Sequence, residues 1–99
     1  MSRQYMFELH LPLAKSEVFI NLIPEQRAYI NEQLSDGSII NYSVTEDLQK
    51  CYCVVEADDE EEALNVVANM PLSAFMKVDI KPLMFYNSVF HQDFHFSKN

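Results

Sequence analysis

A chain of 99 residues makes one domain and, burying about 65% of its unfolded surface, has room for one modest core. An apolar fraction of 48% and a charged fraction of 22% exclude global disorder. A net charge of −8 argues against nucleic acid and anionic membranes, whose affinity rests on Lys and Arg.

The opening "MSRQYMFELHLPLAK" has no apolar core and no small-residue cleavage site, so no signal peptide is expected. No run is long enough to span a bilayer, and the expected location is the cytoplasm. Tyr5, Phe7, Leu9 and Leu11 alternate with Met6, Glu8 and His10, which predicts a half-buried strand closed by Pro12. Ser16 then caps a helical region whose stripe is Phe19, Ile20, Ile23, Ile30 and Leu34. Arg27 interrupts that stripe and is expected to snorkel. Pro24 lacks an N–H and clashes with the preceding turn, so a break is expected there, with the longer helix running from Pro24 to Ser35. Gly37, the single glycine, stops it in the left-handed conformation. With one glycine there is no phosphate-cradling loop and no dinucleotide fingerprint.

Two strands follow, Ser38 to Thr45 and Lys50 to Ala57, joined by the polar "EDLQ". Asp58 is placed to cap a second helix, with Glu61 completing a capping box. Asp59, Glu60, Glu61 and Glu62 crowd the positive end of its dipole, which explains the acidic run without a ligand. Ala63, Leu64, Val67 and Ala68 form its buried stripe. Pro71 ends it. Met76, Val78 and Ile80 then alternate with Lys77, Asp79 and Lys81, predicting a last strand that runs to about Tyr86.

The order β-α-β-β-α-β implies a ferredoxin-like α+β fold: a four-stranded antiparallel sheet with both helices on one face. The other face is bare. Alternation sends Phe7, Leu9, Cys51, Cys53 and Val55 toward the helices, with Ile40, Tyr42 and Val44. It leaves Glu8, His10, Ile39, Asn41, Ser43, Tyr52, Val54 and Glu56 on the bare face with Lys77, Asp79 and Lys81. A face that met only water would be more uniformly polar. This mixture is what two sheets packed face to face around a polar pocket need.

The segment "NMPLSAFMKVDIKPL", with "SDGSII" and "VVEADDEEEA", resembles the muconolactone isomerase-like proteins of the dimeric α+β barrel group, from about Met6 to Tyr86. The resemblance implies a homodimer or higher homo-oligomer with its sheets face to face. It implies clefts within the barrel or between sheet and helices. It also implies cofactor-free movement of a proton beside the carbonyl of a small unsaturated lactone or acid. From alternation alone, His10, Glu8 and Glu56 are the candidate acid–base groups, and Tyr52, Asn41 and Ser43 the candidate ligand contacts. The alternative is a module without catalysis that binds a small ligand or serves assembly, its polar groups satisfied across an interface. Heme or monooxygenase chemistry finds no distinctive motif.

Cys51 and Cys53, one residue apart in a strand, stand about 6.5–7 Å from each other, at or beyond disulfide range. They read as small buried hydrophobes in a reducing compartment. Residues 1–86 are expected to form the domain and residues 87–99 an arm. In that arm Phe90, Phe94 and Phe96 are expected to pack on a partner chain. His91, Asp93 and His95 share a face if extended, but the spacing is not a zinc pattern and no metal is expected.

Overall fold

The computed structural model describes residues 2–84. The expected arm lies outside them; the last strand, expected to run to about Tyr86, ends at Pro82. Strand β1 is Arg3–His10, helix α1 Glu17–Asp36, strand β2 Ile39–Val44, strand β3 Lys50–Ala57, helix α2 Glu60–Ala68 and strand β4 Lys77–Pro82. The sheet runs β2-β3-β1-β4, and every pairing is antiparallel. This is the ferredoxin-like α+β fold that the element order implies.

Helix α1 differs from expectation: it passes through Pro24 without ending. Ser16 caps it, its Oγ accepting the Phe19 N–H at 3.1 Å. Pro24, and Ile20 whose carbonyl would have received the missing bond, both lie on the exposed side, where water can take that carbonyl. Phe19 and Ile30, on either side of the proline, are buried and hold the helix down. Gly37 closes it at φ 86°, its N–H bonded to the Leu34 carbonyl, as its lack of a Cβ permits.

The cap of α2 sits one residue later than expected. Asp59, not Asp58, accepts the Glu62 N–H at 2.8 Å, and the Glu62 carboxylate accepts the Asp58 N–H at 2.6 Å. Ala63 and Val67 are its buried positions, whereas Leu64 is 38% exposed. The Met70-Pro71-Leu72 corner then drives Met70 and Leu72 into the core. The chain turns there because the Ser73 N–H bonds the Met70 carbonyl at 2.9 Å.

One strand departs from simple alternation. Ile39 pairs with Val55 and Asn41 with Val54, so Ile40 bulges out of register. An extra residue in one strand reverses the faces that precede it. Ile39 therefore lies in the core beneath the helices, 1% exposed, and not on the bare face. The core is otherwise the one alternation predicts: Tyr5, Phe7 and Leu9 from β1 meet Cys51, Cys53 and Val55 from β3, all buried. The Tyr29 hydroxyl donates to the Val66 carbonyl at 2.6 Å and ties α1 to α2.

Candidate functional site

Residues paired across antiparallel strands project from the same face. On the face without helices, register therefore writes side chains in rows. One row is Ser43, Tyr52, Glu8 and Asp79, from β2 to β4. The next is Lys50, His10 and Lys77. Between these rows the charges meet. His10 Nε2 is 3.0 Å from Asp79 Oδ2 and 3.7 Å from Glu8 Oε2, while Lys50 Nζ is 3.1 Å from that same Glu8 oxygen. The Glu8 carboxylate raises the pKa of the Lys50 ammonium, chiefly through their hydrogen bond. Glu8 and His10 are half-buried and Asp79 exposed.

Glu8 and His10 thus come together as alternation predicts, and they gain Asp79, Lys50 and Lys77. Tyr52 stands beside Glu8 on β3. The Ser43 hydroxyl, in the same row, lies 3.5 Å from the Tyr52 carbonyl it donates to. Asn41 is opposite Val54, one row nearer the other end. Glu56 does not converge with this group. It pairs with Gln4, four residues along β3 from Tyr52, or about 13 Å, and accepts a 2.6 Å hydrogen bond from Ser2. Asp79 and Lys77 were legible as outward residues of β4. Their contact with His10 required the register of β4 against β1.

The ligand atoms of Glu8, His10 and Asp79 lie within 4.8 Å of one another. That spacing is open to a shared divalent ion, but the Lys50 ammonium already holds the Glu8 oxygen.

The helix side of the sheet carries a different feature. A cavity of about 570 Å³ opens between α1 and the sheet, walled by Phe19, Ile23, Ile30, Leu34 and Val44. At its floor, Gln26 is buried: its Oε1 accepts the Leu72 N–H at 3.0 Å and its Nε2 donates to the Tyr42 hydroxyl at 3.4 Å. Tyr42 in turn lies 3.4 Å from Cys51 Sγ. Burial, then the Cys51 thiol, pushes the Tyr42 hydroxyl far above its ordinary pKa. Burial pushes the Cys51 thiol up, against its hydrogen bond from Tyr42. Burial drives Cys53 up to about 12. All three are neutral near pH 7. The sequence signal for this cavity was the pair Gln26-Arg27, polar residues set into an apolar helix stripe.

The model of the muconolactone delta-isomerase family matches residues 6–89. The chain belongs to the muconolactone delta-isomerase family. The crystal structure of a muconolactone isomerase superposes at a TM-score of 0.71 over 86% of this chain and 92% of that one, at 14% identity. MtbAldR superposes at 0.54 over 89% of this chain and 57% of its own, at 16% identity. At such identities these likenesses show the fold. An uncharacterized protein from Thermotoga maritima aligns at 0.48, with 16% identity, over 84% of this chain and 99% of that one. No curated protein sequence matches the chain. Among the described residues, no helix is long and apolar enough to cross a membrane.

Proposed function

We propose that the protein is a proton-shifting isomerase of a small unsaturated lactone or acid, working on its open sheet face beneath a second copy of itself. The observation that carries this reading is the position of His10 Nε2, 3.0 Å from Asp79 and 3.7 Å from Glu8, with Lys77 across from it on β4. An acid and a base within one proton's reach are what a 1,3-proton shift needs, and no co-reactant is required.

In this scheme the Glu8 carboxylate takes the proton beside the substrate carbonyl. The C–H electron pair moves onto the carbonyl oxygen as a dienolate. A protonated His10 then delivers its proton to the far carbon, and the double bond has moved. Glu8 returns its proton to the imidazole across the short gap, so nothing is consumed. The Lys50 and Lys77 ammoniums supply positive charge for the dienolate oxygen and the substrate carboxylate.

The proposed second copy answers a surface problem. Tyr52 and Met6 lie among these polar groups, and Met6 is 37% exposed in the single chain, whereas Val54 beside them is already buried. A facing sheet covers them and excludes water from the acid–base set. Two buried free thiols fit a reducing compartment such as the cytoplasm.

The test is a panel of small unsaturated lactone acids assayed for isomerisation, with sedimentation velocity on the same samples. The reading expects turnover by the assembled protein and a pH–rate profile that loses a limb in His10→Gln. A folded, assembled wild type inactive across the panel would refute it.

A further inference from the structure

Two carboxylates of the open face stand side by side, because register sets Asp79 of β4 directly across from Glu8 of β1. The Lys50 ammonium reaches Glu8. Among the described residues no ammonium pairs with Asp79, whose side-chain partner is the His10 imidazole at 3.0 Å. The patch thus keeps an excess of negative charge around a ring nitrogen. Its backbone is rigid: Glu8 and His10 are two residues apart on β1, which is paired with β3 on one side and β4 on the other.

We propose that Glu8, His10 and Asp79 form a binding site for a divalent ion of the zinc class, which shuts down the acid–base set when filled. Zinc bonds of about 2.0–2.2 Å to imidazole nitrogen and carboxylate oxygen set ligand atoms about 3.3–3.5 Å apart in a tetrahedron. His10 Nε2 lies 3.0 Å from Asp79 Oδ2 and 3.7 Å from Glu8 Oε2, on either side of that spacing. All three ligand atoms lie within 4.8 Å of one another, so the ion needs only to draw the two carboxylates together, which its charge does. The fourth position is left to water. One nitrogen and two oxygens suit zinc, cobalt or nickel, whereas magnesium and calcium take six or more oxygens. Lys50 is the ion's competitor, since it holds the same Glu8 oxygen at 3.1 Å. It weakens the site and makes filling reversible. The inhibitory consequence rests on the isomerase reading, because a ring nitrogen bound to metal cannot deliver a proton; the site itself does not.

Zinc chloride is titrated into the full chain by calorimetry, and cobalt is added in parallel to read coordination from its visible spectrum. The expectation is one saturable ion per chain. His10→Gln and Asp79→Asn, both on the open face, should fold normally and each weaken binding at least about tenfold. Lys50→Gln should tighten it about three- to tenfold by removing a competing charge. Magnesium in about hundredfold excess should not displace zinc. Absence of saturable binding, undiminished binding in His10→Gln, weaker binding in Lys50→Gln, or displacement by magnesium would each overturn the site. Zinc that fills the site yet leaves isomerisation unchanged would overturn its inhibitory role. Zinc bound through His10 in a protein inactive across the lactone panel would refute the isomerase reading and uphold the site.

Discussion

Neighbouring residues of β1 serve two different surfaces. Phe7 and Leu9 point under the helices and are wholly buried. Glu8 and His10, one step away on the same backbone, meet only charged or polar partners. The sheet is thus a partition. On one side lie the core and a cavity bordered by Arg27 and Lys15. On the other lie an imidazole, two carboxylates and two ammoniums that no helix covers. The helix side is held by apolar area removed from water, at about 25 cal/mol per Å². The open side holds ion pairs, which at such exposure contribute about 0–1 kcal/mol each. Stability should therefore reside on the first face, and proton chemistry on the second.

That contrast can be broken at adjacent positions. Phe7→Ala should cost about 3–5 kcal/mol in urea unfolding, the usual loss for a buried aromatic. Met6→Ala, on the open face, should cost about 0.5 kcal/mol in dilute protein. Its cost should grow with concentration as copies pair. Equal, concentration-independent losses at the two positions would erase the distinction.

Alkali should also act on the helix side. Cys53 titrates near 12 in the folded protein against an ordinary 9.0. Between those values the unfolded chain binds fewer protons than the folded one, so stability falls as pH rises through that window. Three pH units correspond to a loss of up to about 4 kcal/mol. Urea midpoints at pH 8, 10 and 11 should decline, and decline less in Cys53→Val.

Gln26→Leu should cost about 1–3 kcal/mol, because the buried Leu72 N–H loses the Gln26 oxygen that accepts it. The smallest effect on folding belongs to the open face: His10→Gln should move the unfolding free energy by less than about 1 kcal/mol.

Much of this architecture could be read from residue order. Period-two alternation placed β1, β3 and the outward lysines of β4 on their faces, and the Met70-Pro71-Leu72 corner was legible from a proline flanked by apolar residues. The β2 bulge was not, because a one-residue slip at Ile40 leaves no compositional mark between two isoleucines. Pro24 misled for a related reason: its cost is local, while the anchors that outweigh it, Phe19 and Ile30, act through tertiary burial. Glu8 and His10 could be paired because they share a strand. Glu56 could not be separated from them, nor Asp79 joined to them, without register. The cavity was the least legible feature. Arg27 stood out as a polar break in an apolar stripe and Gln26 passed unnoticed, because the hollow depends on how α1 lies over Tyr42 and Cys51.

The most direct measurement is deuterium uptake from D₂O into the carbon beside the carbonyl of small unsaturated lactone acids, followed by proton NMR. The assembled wild type should exchange that position, and His10→Gln, equally folded and equally assembled, should slow the exchange by at least about a hundredfold. Exchange that proceeds undiminished in His10→Gln would contradict the assignment of proton transfer to the open face.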